Sequence, residues 1–202
     1  YEYLDPNTAT GLKSQSPTNP VGQLLSRNDR SSVDRSIGNI QLDYKFHFLP
    51  ALRVNVNVGY DRAEGTGTIV VNDSVKSNYR RGVDVNGVTK GGTNNFYKQK
   101  IQNKFLETYL NYAVDVKSIR SRLDLTGGYG YYDFAYLNYS YADYFIDGSK
   151  RRESDPIFTF DKPQNRLISF YGRLNYSYAG KYLLTVNGRR DGSSKLNPDD
   201  RW

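Results

Sequence analysis

Over residues 39–48 the chain alternates without an error. Ile40, Leu42, Tyr44, Phe46 and Phe48 hold one parity, and Asn39, Gln41, Asp43, Lys45 and His47 hold the other. Successive side chains of a β-strand point to opposite faces, so this period of two predicts a strand with one apolar and one wet face. Residues 52–61 repeat the pattern, with Leu52, Val54, Val56, Val58 and Tyr60 against Arg53, Asn55, Asn57, Gly59 and Asp61. Pro50 falls in the link, where a residue with no N–H to give a sheet is tolerated. The two segments read as a tight hairpin.

Two more hairpins follow. In the second, Leu106, Leu110, Tyr112, Val114 and Val116, with Thr108 among them, oppose Glu107, Tyr109, Asn111 and Asp115. After a short link near Lys117, Leu123, Leu125, Gly127, Tyr129 and Tyr131 oppose Arg122, Asp124, Thr126 and Gly128. In the third, Ile168, Phe170, Leu174, Tyr176 and Tyr178 oppose Ser169, Arg173, Asn175 and Ser177. Ala179-Gly180-Lys181 makes the turn, and Tyr182, Leu184, Val186 and Gly188 return against Leu183, Thr185, Asn187 and Arg189. Phe105, Leu167 and Leu183 break the rule. The fold class is therefore all-β, an antiparallel up-and-down meander of about six long strands.

The links alternate in length. Short turns close each hairpin, whereas polar stretches over about residues 62–100 and 133–164 join the hairpins, with a short strand piece expected near 138–145. Loops this long are uncommon in compact soluble domains, but outer-membrane barrels have short periplasmic turns and long outer loops. Tyr44, Phe46, Phe48, Tyr176, Tyr178 and Tyr182 gather near the short-turn ends, and Tyr60, Tyr129 and Tyr131 near the long-loop ends. Two aromatic belts around an aliphatic band are what two membrane interfaces select. Strands of about ten to twelve alternating residues also match the span of a bilayer.

Composition sharpens this picture. Mean hydropathy is −0.73, yet the chain has 19 Tyr and 9 Phe, and disordered chains are poor in aromatics. No apolar run of about 18 residues exists, which excludes a transmembrane helix and leaves barrels open. The absence of Cys excludes disulfides, thiolate zinc sites and thiol catalysis. The formal charge is +7, but the basic residues are scattered, with local runs only at Arg80-Arg81, Lys150-Arg151-Arg152 and Arg189-Arg190. No basic helix is present, so nucleic acid is not an expected partner. The chain has no Met and shows no signal-peptide pattern, as expected of a mature or excised piece.

Six strands about 4.8 Å apart make an arc of roughly 29 Å. Closed on itself, so short a ribbon would leave almost no interior, since about eight strands already fill theirs with side chains. Burying Lys45, Arg53, Glu107, Arg122, Asp124 and Arg173 there would cost several kcal/mol per unpaired ion. A wide wet lumen removes that cost and calls for more strands. A soluble sandwich or lipocalin-like barrel, acting as a soluble or surface β-sheet binding module, predicts the same alternation with the apolar face turned inward. The direction of the apolar face separates the two.

Wet-face residues are the candidate lumen lining: Asp43, Arg53, Asn55, Asn57, Glu107 and Asn111 on the first three strands, and Arg122, Asp124, Arg173, Asn175 and Arg189 on the last three. Hydration of the wall or contact with a plug is their expected role. Tyr79, Phe96, Tyr97, Tyr136, Tyr139, Tyr141 and Tyr144, in the long links, could stack on sugars or touch a partner, although loop packing is the stronger expectation for each. His47 is the single histidine and reads as solvated; no Gly-x-Ser-x-Gly elbow accompanies it. Gly65-Thr66-Gly67 lacks the third glycine and the helix of a phosphate loop. Asp199-Asp200 beside Arg201 reads as a solvated or salt-bridged loop rather than an acid pair or Ca²⁺ site. No cofactor, no metal site and no enzymatic activity are expected.

The string Gly172-Arg173-Leu174-Asn175-Tyr176-Ser177-Tyr178, then Lys181-Tyr182-Leu183-Leu184-Thr185, Arg189-Arg190-Asp191-Gly192-Ser193-Ser194 and Pro198-Asp199-Asp200-Arg201-Trp202, resembles the SusC/RagA family of TonB-dependent outer-membrane transporters from Bacteroidetes. Asn19-Pro20-Val21, Gly38-Asn39-Ile40-Gln41-Leu42-Asp43-Tyr44 and Phe48-Leu49-Pro50-Ala51-Leu52 fit its style. The resemblance implies that residues 1–202 are part of a barrel domain of 22 strands in the cell outer membrane, with the plug, the TonB box and the remaining strands lying outside this stretch. It also implies outer-membrane lipid, a SusD-like surface lipoprotein and the TonB complex as partners, the last through an N-terminal part. The implied activity is uptake of a nutrient such as a glycan or peptide, driven by the proton motive force.

Overall fold

A computed structural model describes residues 5–7, 11, 13, 17, 19–74 and 81–202. Asn19 caps a short helix, α1 (Pro20–Ser26), by accepting the N–H groups of Val21 and Gly22. Among the described residues nine strands follow: β1 (Arg27–Lys45), β2 (Leu52–Val71), β3 (Arg81–Val83), β4 (Thr89–Gly91), β5 (Thr93–Val116), β6 (Ser121–Tyr139), β7 (Phe160–Asp161), β8 (Gln164–Tyr178) and β9 (Tyr182–Ser193). The sheet order is β1-β2-β5-β6-β8-β9, with β7 beside β6 and with β3–β4 as a separate hairpin. The six long strands are the meander expected from the alternation. No helix among the described residues is long and apolar enough to cross a membrane.

The boundaries differ from those read in the sequence. β1 ends at Lys45, so Phe46, His47 and Phe48 belong to the turn, which closes through Phe46 N–H to Leu52 O (3.1 Å). β2, β5 and β6 run on for 20, 24 and 19 residues, which converts much of the two long links into strand. The piece expected near 138–145 is strand only to Tyr139; beyond it Tyr144 makes one bridge with Lys150.

The chain divides into two compact units. One comprises Arg35–Ala63, Ile101–Tyr136 and Lys162–Trp202. Its register aligns like with like: Leu125, Leu174 and Val186 make one cross-strand row, and Asp124, Asn175 and Thr185 make the next. The three-residue β8–β9 turn places Ala179 at φ 52° and Gly180 at φ 65°, both left-handed, and Lys181 N–H closes it on Tyr178 O (3.0 Å). Ala179 N–H donates to Arg120 O (2.7 Å), tying this turn to the one that ends β5.

The other unit comprises Tyr1–Asp34, Glu64–Lys100 and Leu137–Asp161. Fully buried Phe145 lies under the Arg151 guanidinium, 4.4 Å from its ring centroid. Buried Asp84 accepts the N–H groups of Asn86 (2.9 Å) and Val88 (2.8 Å), setting the β3–β4 turn at Gly87. The stretches expected to be plain loop thus carry a small core of their own.

Candidate functional site

Ala63, Ala135 and Phe145 are the buried apolar residues among those described, so the sheet does not close around a hydrophobic core. Its aliphatic face is bare: Ile40 is 80% exposed, Leu110 49%, Leu125 49% and Leu184 53%. A soluble module would have turned these residues inward. Aromatics frame the same parity at its ends, with Tyr44 against Phe46 (5.2 Å between centroids), Tyr178 against Tyr182 (6.2 Å) and Tyr129 against Phe170 (5.3 Å).

The opposite face is a ladder of polar pairs. Arg53 Nε meets Asp43 (3.2 Å), and buried Asn55 donates to the same carboxylate (3.3 Å). Asn39 donates to Asn57 (3.3 Å), and Arg35 grips Asp61 with two nitrogens (2.8 and 3.0 Å). Asn111 donates to Asp124 (2.8 Å) and Thr126 (2.9 Å); Arg173 Nε donates to Asn187 (2.8 Å), and Thr185 to Asn175 (3.0 Å). Arg189 and Ser169 both donate to Asp191 (2.8 and 2.5 Å).

Six of the candidate residues, Arg53, Asn111, Asp124, Arg173, Asn175 and Arg189, line one concave region of about 740 Å³. Asn55, Asn57 and Glu107, again with Arg189, line a smaller neighbour of about 310 Å³. Asp43 lines neither but holds Arg53, and Arg122 stands apart, 3.8 Å from Asp115 with both side chains exposed.

The candidate set missed three tyrosines. Tyr109 and Tyr171 line both concavities, and Tyr132, in the smaller one, donates a short hydrogen bond to Glu107. A side chain at Gly128 would collide with the Tyr171 ring, so that glycine opens the face on which the ring lies. Phe105, a rule-breaker in sequence, covers Gly59 in the same way. The available signal was a glycine opposite an aromatic at a wet position.

The remaining described candidates lie outside both concavities. His47 is exposed in the β1–β2 turn and shares a hydrogen bond with Tyr44 (2.9 Å). Asp199 and Asp200 sit in the 3-10 turn Pro198–Asp200; behind it Ser193 N–H bonds Arg201 O (3.0 Å), and Trp202 abuts Gly192 and Phe170. Arg189–Ser193 of the Arg189–Ser194 run belong to β9, and the chain turns only from Ser194. No cluster of three or more metal-ligating side chains occurs among the described residues. Of the link aromatics, Phe96 packs edge-on against Tyr141 (4.9 Å), Tyr97 covers Gly67 and donates to Asp29 (3.0 Å), and Tyr139 lies beneath Lys98 and Lys100. Tyr136 belongs to β6, and Tyr79 lies outside the described residues.

Comparison with known proteins agrees with this geometry. No family model matches the chain. It is 34% identical over 198 residues, 93% of its length, to the TonB-dependent receptor SusC of Bacteroides thetaiotaomicron. The chain is a SusC/RagA-like fragment. Fifty-two of its residues are 50% identical to the TonB-dependent receptor P26 of Formosa agariphila, covering 24% of this chain and 5% of that one. Its fold matches the structure of the RagAB peptide transporter with a TM-score of 0.66 at 14% identity, over 88% of this segment and 19% of that chain. The segment spans about a fifth of the length of SusC and of the RagAB chain, 18% and 19%. Its place is the cell outer membrane.

Proposed function

We propose that residues 1–202 are part of the β-barrel domain of an outer-membrane importer, supplying a stretch of its wall and outer loops. The observation that carries this reading is the bare aliphatic face of Ile40, Leu110, Leu125 and Leu184 behind a hydrogen-bonded polar face. Lipid hydrocarbon accepts the first, and a wide wet interior accepts the second. Among the described residues both edge strands, β1 and β9, have a free side in the sheet order, which suits further strands on each side.

The activity is TonB-linked uptake of a nutrient, with the wet-face residues from Asp43 to Arg189 hydrating the wall along the path of the cargo. A relative named as a peptide transporter and another named SusC support import as the class of activity. A SusD-like surface lipoprotein acts as partner at the outer loops, and the TonB complex engages an N-terminal part outside this segment. The chain performs no catalysis. Fractionation of cells producing the full-length protein tests the reading: it is expected in the detergent-extracted outer membrane, and a wholly soluble periplasmic distribution would refute it.

A further inference from the structure

The larger concavity is unequal in its hydrogen-bonding chemistry. Three arginines line it against one carboxylate, Asp124, and that carboxylate is already engaged by Asn111 (2.8 Å). Each arginine is anchored through Nε: Arg53 on Asp43, Arg173 on Asn187 and Arg189 on Asp191. The terminal nitrogens of Arg53 and Arg173 have no partner among the described residues, and Arg189 uses one of its two on Ser169 (3.1 Å). The amides show the same polarity. Asn175 and Asn187 each spend their oxygen as an acceptor, from Thr185 and Arg173, which leaves their NH₂ groups to the cavity. Tyr109 and Tyr171 add hydroxyls.

A wall so rich in free donors and so poor in free acceptors fits a ligand of the opposite kind. We propose that this cleft binds oxyanions, the carboxylate or sulfate groups of an acidic oligomeric cargo, with Arg173 and Arg53 as the principal anchors. Guanidinium groups fixed at Nε present their remaining N–H bonds as a fork, which suits a planar carboxylate or a sulfate edge. This specificity rests on the wall reading above, since it needs this face to be wet.

The test uses the full-length protein, extracted from outer membranes in detergent, and pyranine, a trisulfonated fluorescent dye. Fluorescence anisotropy should report saturable pyranine binding that citrate displaces and maltotriose does not. Arg173→Gln and Arg53→Gln should each weaken it about tenfold, the effect of losing one charge-assisted pair. Lys181→Gln, in the β8–β9 turn and outside the cleft, should leave it unchanged. Absent binding, or binding that survives both cleft substitutions in protein that still fractionates with the outer membrane, overturns the oxyanion site alone. A soluble distribution would instead overturn the wall reading. Equal displacement by maltotriose would also overturn the proposal.

Discussion

The ring of Phe105 on β5 lies over Gly59 on β2, in the place where any side chain at position 59 would have to sit. An apolar residue on the wet face thus covers a gap in the neighbouring strand rather than facing water. Gly59→Ala should push the ring aside and cost about 1–3 kcal/mol, as overpacking does. Urea unfolding of the full-length barrel in lipid vesicles would show a lowered midpoint, and the double variant Gly59→Ala with Phe105→Ala should recover part of it.

The two faces should respond oppositely to charge. Leu125→Arg should destabilise the barrel by about 2–4 kcal/mol, as cationic substitutions near the bilayer midplane do. Thr126→Arg, one residue on and facing the other way, should change stability by less than about 1 kcal/mol, because that face is wet. The same unfolding measurement compares them.

The β8–β9 turn carries a small strain. Ala179 adopts φ 52°, which costs a residue with a Cβ about 1–2 kcal/mol and glycine little. Ala179→Gly should therefore raise the unfolding midpoint slightly, and Ala179→Val should lower it.

In the unit that holds Phe145, Lys90 Nζ lies 2.7 Å from Asp147. The hydrogen bond from Lys90, aided by the Ser149 hydroxyl and N–H, holds the Asp147 carboxyl well below the usual carboxylate range, and Asp147 in turn raises Lys90. A depressed carboxylate stabilises the folded loop fully above its ordinary pKa of about 4, and that contribution fades as pH falls toward the folded value. The raised lysine contributes below about pH 10 and loses its effect above. Amide protection in β3–β4, taken relative to the intrinsic exchange rate at each pH, should thus be greatest near neutrality and fall below about pH 4. Asp147→Asn should flatten the acid limb, and an unchanged limb would show that this pair does not set it.

The legible part of the sequence was the part with a strict period. Residues 39–45 and 52–61 show their faces because every second side chain is apolar, so the hairpins and the polar face followed directly. The upper strand lengths did not, because Gly65 and Gly67 look like loop residues until Tyr97 is seen covering Gly67. The β3–β4 hairpin was signalled by Asn86-Gly87, a local turn marker that only tertiary packing around Phe145 makes consequential. Tyr171 was hidden for another reason: its role depends on Gly128, a neighbour in space 43 residues away across the β6–β8 register.

Which way the aliphatic side looks can be measured directly, because this segment has no cysteine of its own and any elsewhere in the full-length protein can first be replaced by serine. Single substitutions Ile40→Cys, Leu125→Cys and Leu184→Cys, and on the other parity Arg53→Cys, Thr126→Cys and Asn187→Cys, would carry an environment-sensitive fluorophore in full-length protein reconstituted with brominated lipids. Strong quenching at positions 40, 125 and 184 with little at 53, 126 and 187 is the expected result. Quenching of the second set, or of neither, would contradict a wall with lipid on its aliphatic side.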